Sequence, residues 1–176
     1  LCRPSESRMR LLVFLAVALT SGLAHAAAPV RVYLNREGAT LVGGQDAPTR
    51  DRSVIAGAVD GGSVTVPPFA GGDRRWRGIV ACVRRQFAPF AVELVDVRPT
   101  AGPYTMIMVG GDPGLLGMGG GVSGIAPADG EVLREAVGFA FAALLDNDVD
   151  ATCTTVAHEV GHTLGFSHNF AASRDG

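Results

Sequence analysis

Three histidines and one glutamate near the end of the chain have the types and spacing for metal chemistry. Residues 158–168 read His-Glu-Val-Gly-His-Thr-Leu-Gly-Phe-Ser-His. On a helix, His158 and His162 stand one turn apart and point the same way. Two imidazoles then reach one ion from a rigid platform, and Glu159 lies beside that ion without ligating it. His168 lies beyond the reach of a straight helix, and Gly165 permits the sharp turn that returns it to the same ion. Three neutral imidazole nitrogens with a fourth position open describe a catalytic zinc site, not a closed structural one. Zinc lowers the pKa of a water it binds to about 7. Glu159 is placed to take that proton and deliver it to a leaving amine, while the metal steadies the oxyanion. The expected ligands of one Zn2+ are therefore His158, His162 and His168, with Glu159 as the catalytic base. A bare His-Glu-x-x-His occurs by chance on ordinary helices. The longer pattern here fixes five positions in eleven and puts a glycine where the turn needs one.

These residues must be positioned by one domain. The chain has 176 residues, 47% hydrophobic and 18% charged, which suits a single globular core. The formal net charge of −2 gives no electrostatic reason to expect nucleic acid. No stretch is apolar for the roughly 18 residues that a bilayer requires. Met9 and Arg10 precede an apolar run, Leu11 to Leu19, and then Ala24-His25-Ala26. That order is a secretory signal peptide over residues 9–26. Residues 1–8 read as upstream read-through, and residues 27–176 as the domain. Cleavage after Ala26 removes Arg3, Arg8, Arg10 and Glu6, taking the net charge to −4. It leaves Cys82 and Cys153 in an oxidising compartment, and no histidine outside the motif. Localisation is expected to be extracellular, with no membrane association once the signal is gone.

Val30, Val32 and Leu34 alternate with polar neighbours, as in a half-buried strand. Residues 36–72, rich in Gly, Asp and Pro, read as loops with little regular structure. Asp73 is expected to cap a helix over 73–87 whose apolar stripe is Trp76, Ile79, Val80, Val83 and Phe87. Pro89 ends it. Phe90 to Val97 and Tyr104 to Val109 read as strands, and Val122 to Ala126 as a short edge strand after a Gly-rich stretch. Residues 131–145 are ambiguous and lean towards helix on periodicity, although Val137 to Leu145 is also a continuous apolar run. Asp150 is expected to cap the helix that carries the motif, about 151–164, with Val156, Val160 and Leu164 facing inward and Gly165 ending it.

The stretch His158-Glu159-x-x-His162-x-x-Gly165-x-x-His168 resembles the metzincin signature of zinc peptidases. The resemblance implies an α/β (α+β) fold: a mixed, mostly parallel twisted sheet backed by two long helices, the second carrying the first two ligands. The helices at 73–87 and 151–164 would be those two. Val122 to Ala126 would be the edge strand along which peptide substrates pair, and Val137 to Ala143 would be a strand rather than a helix. Both cysteines would then lie on helices of one sheet face, which favours a Cys82–Cys153 disulfide over two buried free thiols. The family's methionine turn follows the third histidine. Here Met106, Met108 and Met118 all precede it, and eight residues follow His168. The expectation is a domain incomplete at its C-terminus, a weak peptidase as it stands. No cysteine ahead of the domain offers a matrixin-type inhibitory switch.

Three function classes fit: a secreted zinc endopeptidase acting on protein or peptide, a secreted zinc-dependent peptide-binding module without turnover, and a metal-dependent amidase. Asp146, Asp148 and Asp150 alternate like the start of a calcium loop, but Ala151 and Ala157 replace its glycine and closing glutamate. A structural Ca2+ site there is without support, and a solvated turn is the simpler reading. The glycines at 110–111 and 117–121 lack the Lys-Ser/Thr of a phosphate loop. Arg74, Arg75, Arg77, Arg84 and Arg85 read as the wet face of the first helix.

Overall fold

The computed structural model describes residues 28–168. The expected signal peptide, the residues before it and everything after His168 lie outside the described residues. Eight strands and two α-helices form three layers. The strands are β1 (Val30–Asn35), β2 (Ala39–Gly43), β3 (Arg52–Ser53), β4 (Ser63–Val66), β5 (Val92–Val95), β6 (Thr105–Val109), β7 (Gly124–Ile125) and β8 (Val137–Ala140). Helix α1 spans Gly72–Phe87 and α2 spans Val149–Thr163.

The central sheet has the order β5-β1-β6-β8-β7, parallel throughout except for β7, which runs antiparallel to β8 at the edge. Alternate side chains feed two cores. Val32, Leu34, Ile107 and Val109 meet both helices, and Tyr33, Met106, Met108 and Phe139 meet the other layer. That other layer is a second sheet, β3-β2-β4. Residues 36–72 are therefore not the loops their composition suggests. Leu41, Val64 and Val66 are buried beneath the first sheet, and that burial holds strands of only two to five residues.

The same covering on both faces settles residues 131–145. Every residue of β8 is buried, so its continuous apolar run is that of a sandwiched strand and the helical reading is wrong. The edge strand shrinks to Gly124–Ile125. The strand expected over Phe90 to Val97 shortens to β5, leaving Phe90 and Val97 exposed.

All five apolar positions named for α1 are buried. Its cap is not Asp73: Gly71 holds that position, and Asp73 sits in the first turn, where its Oδ1 accepts from Arg36 at 2.7 Å. A carboxylate there still favours the helix dipole. In α2 the cap is Asp148, not Asp150. Its Oδ1 accepts from the N–H groups of Asp150 (3.0 Å) and Ala151 (2.9 Å). The helices are joined by the Cys82–Cys153 disulfide, with Cα atoms 6.0 Å apart. Among the described residues no helix is long and apolar enough to cross a membrane.

Candidate metal centre

Helix α2 places His158 and His162 on one face, and its ending places the third histidine. The Gly165 N–H donates to the His162 carbonyl (3.0 Å), and the Phe166 N–H donates to that of Gly161 (3.1 Å). These are the two hydrogen bonds of a Schellman ending, which needs a left-handed residue just past the helix. Gly165 supplies it, with φ +89°, and a Cβ there would also lie 2.9 Å from the Gly130 carbonyl oxygen. Gly165 is thus fixed by conformation and by space.

Beyond this turn the chain doubles back. The Nε2 atoms of the three histidines lie 3.0 Å (158–162), 3.1 Å (162–168) and 2.8 Å (158–168) apart. Nitrogens sharing one zinc at about 2.0–2.1 Å can be at most about 4 Å apart, and these satisfy that limit. His162 Nδ1 lies 2.9 Å from the Phe166 carbonyl oxygen. A carbonyl only accepts, so Nδ1 carries the proton and Nε2 is left with its lone pair facing the cluster. Three such nitrogens cannot all satisfy one another with protons, whereas one cation satisfies all three. Burial, then the neighbouring His162 and His168, pushes the His158 pKa down, towards the neutral form a metal needs. The donor set fits zinc.

Glu159 stands outside the ligand cluster, which among the described residues comprises the three histidines. It is only 4% exposed, and burial pushes its carboxyl up to about 7 in the metal-free chain. Its carboxylate packs on the edge strand: a Cβ at Gly124 would lie 2.6 Å from Oε1. The motif gave no sign of this contact. The only hint was a glycine in a strand, which marks close approach of another group.

The remaining sequence candidates have other uses. Asp148 is spent on its helix cap, and Arg75 donates to the Asp146 carbonyl (3.1 Å), so the aspartate run is a turn and a cap. The five arginines of α1 are all exposed.

A family model described as Met-zincin matches residues 152–175, most of α2 and all three histidines. The match is partial. Together with the sheet order and the histidine cluster, it supports a metzincin-type domain. No curated protein and no solved structure matches the chain. The metzincin features that the sequence pointed to are thus present from β1 to His168: a mostly parallel sheet, two helices, and the second helix bearing the ligand pair.

Proposed function

We propose that this metzincin-type chain is a secreted zinc-dependent endopeptidase. The observation that carries the reading is the position of Glu159, a buried carboxyl packed on the edge strand and borne by the residue next to the first of three converging imidazoles. His158, His162 and His168 would hold the ion. When bound, zinc supplies a Lewis acid that favours attack by water on a carbonyl at neutral pH. Glu159 takes the proton of the attacking water and returns it to the leaving amine. Packing against Gly124 fixes the carboxylate, so little freedom is lost when it acts. Strand β7 pairs only with β8 among the described residues. Its other edge offers main-chain groups to an extended peptide, in the manner of strand addition. The disulfide suits an oxidising compartment and supports export.

Glu159→Gln in the full-length secreted protein tests this. The variant is expected to keep its zinc and lose nearly all cleavage of an unfolded protein substrate. Undiminished cleavage would remove Glu159 from the mechanism. Absence of cleavage in the parent would favour a zinc-dependent peptide-binding module.

A further inference from the structure

Beyond β7 the edge of the molecule opens into a cavity of about 640 Å³, a size typical of ligand sites. Gln45, Asp46 and Val54 from the second layer line the cavity with Leu133 and Ala136, and one wall is the segment that follows β7, Pro127 to Asp129. This wall is tied to the metal centre at both ends. Gly124 touches Glu159 on one side, Gly130 touches Gly165 on the other, and the Leu133 N–H donates to the Thr163 carbonyl at 2.8 Å. From Gly124 to Pro127 is three residues, about 10 Å of extended chain.

The charges in this cavity are unbalanced. Asp46, Asp129 and Glu135 contribute three carboxylates, and Arg134 is the one cation. The Arg134 guanidinium is already committed to the carbonyls of Ala28 (3.2 Å) and Pro29 (3.5 Å). None of the three carboxylates forms an ion pair among the described residues. Asp46 is the innermost: it accepts from the N–H groups of Val54 (2.7 Å) and Val137 (3.1 Å), which hold it rigid at the mouth of β8. Val54 and Val132 stand about half exposed beside these acids, a surface suited to the methylene stem of a long side chain.

We propose that this cavity is a specificity pocket for an arginine or lysine side chain, carried by a peptide lying along β7, about three residues from the bond at the metal centre. The proposal rests on the endopeptidase reading for the peptide's path, and its test is binding rather than turnover. The fluorescent probes are two extended peptides that differ only in carrying Arg or Gln at one position, walked in turn through the second to fourth residues on either side of the central bond. Fluorescence anisotropy with zinc-loaded Glu159→Gln protein reads their affinity. At one position the Arg peptide is expected to bind about tenfold tighter than its Gln twin. In the Glu159→Gln protein that also carries Asp46→Asn, Asp129→Asn and Glu135→Gln, with zinc content confirming the fold, the two should bind alike. Equal binding at every position, or a preference that survives the three added substitutions, overturns the pocket. The parent's cleavage of the same peptides reports on the endopeptidase reading separately: an arginine preference in binding without any cleavage would keep the pocket and sink the peptidase.

Discussion

His162 carries two duties at once. Its Nδ1 proton is fixed on the Phe166 carbonyl, so its Nε2 is aimed at the centre before any metal arrives. A hydrogen bond of this kind sets both tautomer and ring orientation. Replacing His162 with Ala removes a ligand and the anchor of the turn that returns His168. Purified His162→Ala protein should lose stoichiometric zinc by metal analysis; full retention would refute the ligand set. Gly124 makes the complementary point for the base. A methyl group there would lie 2.6 Å from Glu159 Oε1 and 2.8 Å from its Cγ, so the carboxylate must move. Gly124→Ala is expected to keep zinc and lower kcat at least tenfold, since small misplacements of a reacting group are costly. Unchanged kcat would show that the Glu159 position is not critical. The candidate ligands and base were legible in the sequence because all four lie within eleven consecutive residues. The Gly124 contact was not, because it joins residues 35 positions apart through the folding of the sheet.

Helix α1 and strands such as β1 and β6 were legible from their apolar pattern, and the short strands within residues 36–72 were not. Helix α1 shows five buried positions over four turns, a pattern that little else produces. Strands β2 to β4 bury one or two residues each, in all but hidden runs among glycines, aspartates and prolines, and their pairing emerges only when the first sheet covers them. The two helix caps went astray for a local reason. Asp146, Asp148 and Asp150 are all plausible caps by type, and only backbone geometry selects Asp148, whose extended φ/ψ leaves its carboxylate facing the first free N–H groups. The link between α1 and α2 was reached from the two cysteines that the expected export would leave, and the structure has it. Its separation of 71 residues gives roughly 4 kcal/mol as the upper loop-entropy contribution. Cys82→Ser with Cys153→Ser should therefore lower unfolding free energy by about 2–4 kcal/mol in denaturant titration. Mass spectrometry of the non-reduced secreted protein should find no alkylatable thiol. Two free thiols would dismiss the bridge.

For the molecule as a whole, the decisive arrangement is that the metal centre stands at the sheet edge, outside both cores. The sequence could not show two cores, because that requires knowing that residues 36–72 return to cover the sheet. Neither core contains a ligand: one joins the helices to the sheet and the other joins the two sheets. The disulfide holds the start of α2 at Cys153 independently of the motif at its end. Zinc should then stabilise the fold by mass action without being required for it. At free zinc a hundredfold above Kd that contribution is about 2.7 kcal/mol. In a domain of this size each kcal/mol corresponds to about 2–4 °C in Tm, so chelation should lower Tm by roughly 5–10 °C. The loosening should be local. The third ligand is carried past Gly165, which packs on Gly130, and Thr163 accepts from Leu133. Amide exchange on metal removal should accelerate over 161–168 and 127–133, while β1, β6 and the second sheet keep their protection and the aromatic circular dichroism persists. The 127–133 segment also walls the acidic cavity, so metal loss should weaken peptide binding there as well. Collapse of protection throughout the sheet would show that the ion holds the whole fold, and unaltered exchange near Gly165 would show that the ligand loop needs no metal to keep its place.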